Sequence, residues 1–378
     1  MSTTTKKPDT NTTLEKEKIM PTTDETLTIH IVQPVGFGNL NRDENGLPKT
    51  ADLGGTRRGR LSYQSVKRAA RQAFERRSGH HTHRTKTHET LIAARAHELN
   101  PEISVDKAED AAKKHLKKLA KDSLRWLSPD EVEAAALHIA EGASGEPEWG
   151  KGKTSSLSIA AFGRMMSGTP EAGIDAAVTV TPVIASHETP LTHDFFSAVD
   201  DLHGDADTGA GHLGSTVWTS FTGLRQVTIN KSQLRRNWTA IDQDTASDQV
   251  KMLVEALIHE LPTGKTNTSQ PAEAPAVVYA VVDGKPGHPR SHALPLMRAV
   301  DPDNNGYTTP TIKQLAKAAT RMRRQDESVG AVGDHFVTGV ADEDLLEAFE
   351  CDTVTEGDLI DRITDWALAA PEVVGAGE

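Results

Sequence analysis

A single cysteine, Cys351, is all that the 378 residues contain, which excludes a disulfide framework or a zinc site built on paired cysteines. That scarcity gives the expectation of a reducing, cytoplasmic setting. Aromatic residues make up only 4% of the chain, so few rings are to spare for stacking bases. No apolar run approaches the ~18 residues of a membrane-spanning helix, and the Thr- and Lys-rich start lacks the apolar core of a signal peptide. Catalytic signatures are missing as well: there is no nucleophile elbow, no His-Glu-x-x-His pair and no readable spacing of paired carboxylates. Lysine precedes threonine at 152–154 and 264–266, but Pro147 and His259 stand where a phosphate-binding loop needs its first glycine. The run His80, His81, His83 and His88 offers metal-ligand types in a polar, basic loop with no cysteine or spaced carboxylate nearby. We expect neither a metal nor another cofactor.

What the chain does have is charge segregated by position. The net charge is −12, yet residues 56–77 hold eight basic side chains against one acid, Glu75. At the other end, residues 341–378 hold twelve acids and one base, Arg362. A basic face on an acidic body points to a polyanionic partner. The 36% of apolar residues is enough for a core.

Residues 1–25 are polar and are expected to be disordered. TLTIHIVQ (26–33) alternates Leu27, Ile29 and Ile31 with polar neighbours, as a half-buried strand does. GFGNLNRDENGLPKTADLGG and the TRRGR that follows read as a glycine- and arginine-rich loop, with Ser62 at the N-cap of a helix. In that helix Val66, Ala69, Ala70, Ala73 and Phe74 form one stripe, with Lys67 and Arg71 a turn apart on another. Such a loop feeding a helix N-terminus suits phosphates, through backbone N–H groups, the helix dipole and bidentate arginines. Residues 78–145 are helical in pattern and strongly charged, with Ser128 a second N-cap. Short β-like runs follow (DAAVTVTPVIAS, LRQVTINKSQL, APAVVYAVVDGK), interleaved with helical DQVKMLVEALIHELP and TPTIKQLAKAATRMRRQ. This order predicts an α+β fold with helices on one face of an antiparallel sheet.

Read as a string, NLNRDENGLPKTADLGGTRRGRLSYQSVKRAARQ resembles a segment of the CasC family, the backbone subunit of the type I-E CRISPR surveillance complex Cascade. FGRMM (162–166), HDFFSAVDDL (193–202), HLGSTVWTS (212–220) and VTIN (227–230) resemble the same family in the same order, so the likeness covers about residues 26–265. It implies an RNA-recognition-like (ferredoxin-like) palm in two parts, 26–77 and 151–340. A helical finger at 78–150, a thumb at about 186–226 and an acidic segment at 341–378 complete the expected organisation. The family's activity is non-catalytic. Its copies stack head to tail along a CRISPR guide RNA, beside other Cascade subunits and away from any membrane, and the guide's bases pair with a target DNA strand. Delegating sequence reading to base pairing agrees with the few aromatics.

The resemblance also implies roles for residues. Arg42, Lys49, Arg57, Arg58, Arg60, Ser62, Gln64, Lys67, Arg68, Arg71 and Arg164 are expected to hold the RNA backbone. Thr56 stands where the resemblance leads one to expect a lysine. Met165, after Gly163 and Arg164, is expected to displace a base, and Phe195, Phe196 and Val199 to act from the thumb. The alternative is a repeat-associated RNA-processing endoribonuclease of the same superfamily, with His30 as its candidate base.

Overall fold

The computed structural model describes residues 25–119, 124–198, 212–283, 297–304, 306–331 and 333–370. The alternation of Leu27, Ile29 and Ile31 does produce a strand, β1 (Thr26–Gly38). The glycine-rich stretch after it is not all loop. β2 (Thr50–Leu53) and β3 (Thr56–Leu61) form an antiparallel hairpin, so TRRGRL is a strand. Gly54 and Gly55, with φ of 61° and 81°, supply the two left-handed positions that a two-residue hairpin turn needs. α1 (Tyr63–Ser78) follows with Ser62 at its N-cap, and it buries Val66, Ala70, Ala73 and Phe74.

A helical lobe comes next: β4 (His83–Thr85), α2 (His88–Leu99), α3 (Val105–Leu119), β5 (Arg125–Leu127) and α4 (Pro129–Ala140). α4 starts on a complete capping box between Ser128 and Glu131. The lobe has its own core, in which Ile92, Leu116, Leu127 and Ile139 meet Met166 from beyond the lobe.

The chain then returns to the sheet through α5 (Leu157–Phe162), β6 (Val178–Val180), β7 (Val183–Ala185), β8 (Thr192–Ala198) and the long β9 (His212–Asn230). The Asn230 side chain caps α6 (Lys231–Asn237), after which come α7 (Ala246–His259), the single turn α8 (Thr266–Ser269) and β10 (Val277–Val282). α9 (Thr308–Ser328), β11 (His335–Gly339), α10 (Glu343–Glu347), β12 (Asp352–Thr353) and α11 (Glu356–Leu368) complete the described elements.

The main sheet has the order β12-β11-β10-β1-β9-β7-β3-β2, with β6 and β8 also paired to β9. Its ladders are antiparallel except β11–β12. Helices cover both faces, not one as the sequence led us to expect. On one side Leu27, Ile29, Val278 and Ala280 pack with α1, α5, α7 and α11. On the other, Val32, Tyr279, Val281 and Val337 pack with Ile312, Leu315 and Ala319 of α9 and with Leu345 and Leu346 of α10. The reason is legible in β10, VVYAVV, which is apolar at every position because neither of its faces meets water. The acidic segment is folded as far as it is described, to residue 370: α11 buries Leu359, Ile360, Ile363 and Ala367 and packs on α7. The expected disorder of 1–25 falls outside the described residues except at Glu25, whose carboxylate meets Lys231 at 2.7 Å. Among the described residues no helix is long and apolar enough to cross a membrane.

Candidate nucleic-acid interface

Three hydrogen bonds gather the basic loop, the hairpin and the start of α1. Lys49 N donates to Asn41 O at 2.9 Å, Arg60 N to Lys49 O at 2.9 Å, and Ser62 N to Asn41 Oδ1 at 2.8 Å. The loop itself is held by Asp43 Oδ1, which accepts from Asn45 N and Leu47 N. Arg42, Lys49, Arg60 and Ser62 therefore lie together. Thr189 N donates to Arg57 O at 3.0 Å, tying β3 to the segment that leads into β8. Arg42, Arg57, Gln64 and Arg68 are exposed, while Lys49, Arg60, Lys67 and Arg71 are half-buried.

Three of the residues expected to hold RNA are buried in the fold. Arg58 is fully buried, and its guanidinium donates to Thr56 Oγ1 (2.8 Å), Ala185 O (3.1 Å) and Met297 O (3.0 Å). Thr56 thus serves the neighbouring strand residue. Arg164 is buried too, its two terminal nitrogens clasping the Glu131 carboxylate while Nε donates to Ala172 O at 3.1 Å. Ser62 is likewise buried. The stripe of Lys67 and Arg71 faces the junction of sheet and lobe, not open water. Lys67 Nζ donates to Val178 O at 3.1 Å and lies 5.8 Å from the Phe162 ring, and desolvation lowers its pKa. The Arg71 guanidinium sits 5.2 Å over the Trp126 ring and pairs with Glu75.

Met165 is 88% exposed, and local geometry explains why. Arg164 exchanges backbone hydrogen bonds of 2.8 and 2.9 Å with Ile174, and Met166 is anchored in the core of the lobe. With both neighbours held inward, the Met165 side chain is left on the outside. Gly163 makes the turn before it, with φ 72° and no room for a Cβ, which would stand 2.7 Å from Ala176 N. On β8, Phe195 and Phe196 are 72% and 48% exposed. As neighbours in a strand they face opposite sides. Phe196 pairs with Gly214 and its ring lies over that glycine. Val199 lies outside the described residues.

Sequence reasoning missed Trp126 and Glu131, which hold Arg71 and Arg164. In the sequence Glu131 is only the third residue after the Ser128 N-cap. It also missed Phe37, 50% exposed with its ring 5.6 Å from that of Trp218, over which Lys265 places its Nζ at 5.0 Å. His30 is fully buried on the central strand, 5.7 Å from the Tyr279 ring, out of reach of a surface substrate. The histidine run is split: His80, His81 and His83 are exposed, while His88 is buried with Nε2 3.0 Å from His83 O.

The sequence profile of the family described as CT1975-like protein matches residues 27–366. Among solved structures, a chain of a "CRISPR RNA-guided surveillance complex, pre-nicking" superposes with a TM-score of 0.77 at 26% identity, over 90% of this chain and all of its own length. A chain of a second "CRISPR RNA-guided surveillance complex" gives 0.63 at 24% identity, over 90% of this chain and 99% of its own, a likeness of fold. No curated protein gives a significant match.

Proposed function

This chain belongs to the CT1975-like family and is a CasC-type backbone subunit, and from that premise we propose that it binds a CRISPR guide RNA without cutting it. Copies associate head to tail along the guide in the cytoplasm, within a Cascade complex of type I-E, and present its bases to a target DNA strand. The observation that carries this reading is Met165, an 88% exposed apolar side chain held out between two buried anchors. A side chain fixed in that posture suits displacing a base at regular intervals along a guide. Phe195 and Phe196 on the β8–β9 hairpin offer the matching thumb contact, and the exposed Arg42, Arg57 and Arg68 offer sequence-independent phosphate contacts.

The RNA-recognition-like palm is supported by topology. β1, α1, β6, β9, α7 and β10 run in βαββαβ order, with β10-β1-β9-β6 as the strand neighbours. Residues 26–77 and 151–340 are assigned to this palm, 78–150 to the finger and about 186–226 to the thumb. The endoribonuclease reading draws no support from His30, which is sealed in the sheet.

The test is a salt series of guide-RNA binding by the Arg57→Gln/Arg68→Gln double variant. Each lost phosphate contact flattens log affinity against log salt by about 0.7 on a single strand, so the slope is expected to fall by about 1.4 per engaged subunit for two unrelated guides alike. An unchanged slope, or a loss confined to one guide, would sink the proposal. Lys67 and Arg71 are poorer probes, because both support the junction of sheet and lobe.

A further inference from the structure

The inner side of α9 packs Ile312, Leu315 and Ala319 against β10 and β11. Its outer side carries Lys313, Lys317, Arg321 and Arg324, all exposed. Spacings of four, four and three residues put them on one row, a cation every ~5–6 Å at 1.5 Å rise per residue. Beside the row opens a cavity of about 300 Å³ floored by Ala316 and Ala348. Among the described residues the one acid lining it is Glu350, which is already bonded to Arg323 at 3.1 Å. The groove is therefore cationic along its length.

Its lining also decides the class of partner. Among the described residues no aromatic or large apolar side chain borders the cavity, so it lacks the anchor around which protein interfaces are built. A row of cations over a floor of small residues instead matches a repeating anion held by charge alone. α9 and α1 pack on opposite faces of the sheet, so this row is separate from the basic surface of α1.

We propose that the α9 row is a second, sequence-independent polynucleotide site, one that takes the phosphodiester backbone of DNA while the α1 side takes the guide. The division of labour rests on the function proposed above; the site itself does not.

The experiment compares the full chain with the Lys313→Gln/Lys317→Gln/Arg321→Gln/Arg324→Gln variant, measuring anisotropy of a labelled DNA duplex of arbitrary sequence across salt, with and without guide RNA. With all four contacts engaged, the salt slope for DNA is expected to fall by about 3.6, at 0.9 per contact, while guide affinity stays unchanged. The two-site variant Lys317→Gln/Arg321→Gln should show about half that loss, so the result does not hang on the fold of one variant. An unchanged DNA slope would overturn the site, as would equal weakening of guide RNA. Poly-glutamate binding the row more tightly than DNA would overturn it in favour of an acidic protein partner. If the unaltered chain fails to bind guide RNA, the function proposed above falls. The RNA-free DNA arm still decides the α9 site.

Discussion

Buried arginines divide the positive charge of this chain into two populations. Arg225 is fully buried, with Nη1 donating to Glu260 O at 3.1 Å and Nη2 to Ile258 O, at the C-terminus of α7. The guanidinium satisfies carbonyls that the helix leaves open and meets the negative end of its dipole. Burial lowers its pKa to about 10, which still leaves it charged at neutral pH. Arg125 does similar work for α3, donating from Nε to Leu116 O at 3.0 Å. Arg164 differs in having a carboxylate partner, and this makes it testable. Glu131→Gln keeps the shape of the capping box but leaves the guanidinium, whose side chain is 2% exposed, without its counter-charge. The expected cost is about 3–5 kcal/mol, and Glu131→Gln combined with Arg164→Met should recover part of it. Chemical denaturation measures both; a single variant within about 0.5 kcal/mol of the parent would contradict the assignment.

At the scale of elements, the β2–β3 turn offers a matched comparison. Gly54 and Gly55 both have positive φ, but a Cβ on Gly54 would stand 1.7 Å from Met297 O, whereas one on Gly55 meets nothing within 4 Å. Gly55→Ala is expected to cost about 1–2 kcal/mol for the left-handed backbone alone. Gly54→Ala should cost clearly more, because the backbone that also receives Arg58 must move. Equal shifts of the urea midpoint would refute this. The same hairpin shows where reading the sequence succeeded and failed. Helices such as α1 and α7 announced themselves because their apolar stripes face one core. β3 did not, since arginines occupy both of its faces: Arg57 is exposed and Arg58 buried, so the period of two is invisible in residue type. Gly59 added to the loop-like appearance, although its role is to let the Phe221 ring approach, 2.5 Å from where a Cβ would be. For the basic residues of 56–77, order along the chain was legible and side-chain direction was not. Whether Arg57 or Arg58 faces water depends on the pairing of β3 with β2 and β7, which no local pattern encodes.

The whole molecule should weaken in mild acid. His335 is held down to about pKa 4 by burial, helped by the nearby Arg323, and burial also lowers His88 and His187. His187 shows why its neutral ring belongs to the fold: Nε2 accepts from Thr222 N at 3.1 Å, a bond that protonation would break. With the neutral ring favoured in the folded chain, the unfolded chain binds more protons as pH falls below the ordinary histidine value near 6.5. Stability is expected to level off above about pH 7 and to decline towards pH 4. Melting curves at intervals between these limits check it, and a flat midpoint would refute it. Another property of the whole follows from the 19 residues of β9, which belong to two structures at once. Its C-terminal part is laddered to β1 from Thr219 to Asn230, and its first seven residues pair with β8 outside that ladder. The irregularity of the β1–β9 ladder, between Val35 and Gly38, falls where the two parts join. The hairpin thus stands on the central part of the sheet like a boom on a beam, with the irregular step of the ladder at its foot. At ~3.3 Å per residue, seven residues make an arm of about 23 Å, so a bend of about 10° at the joint swings the tip by about 4 Å. Because Phe195 and Phe196 sit on this arm, a small change of angle at its foot repositions both rings while the ladders of the central sheet keep their register.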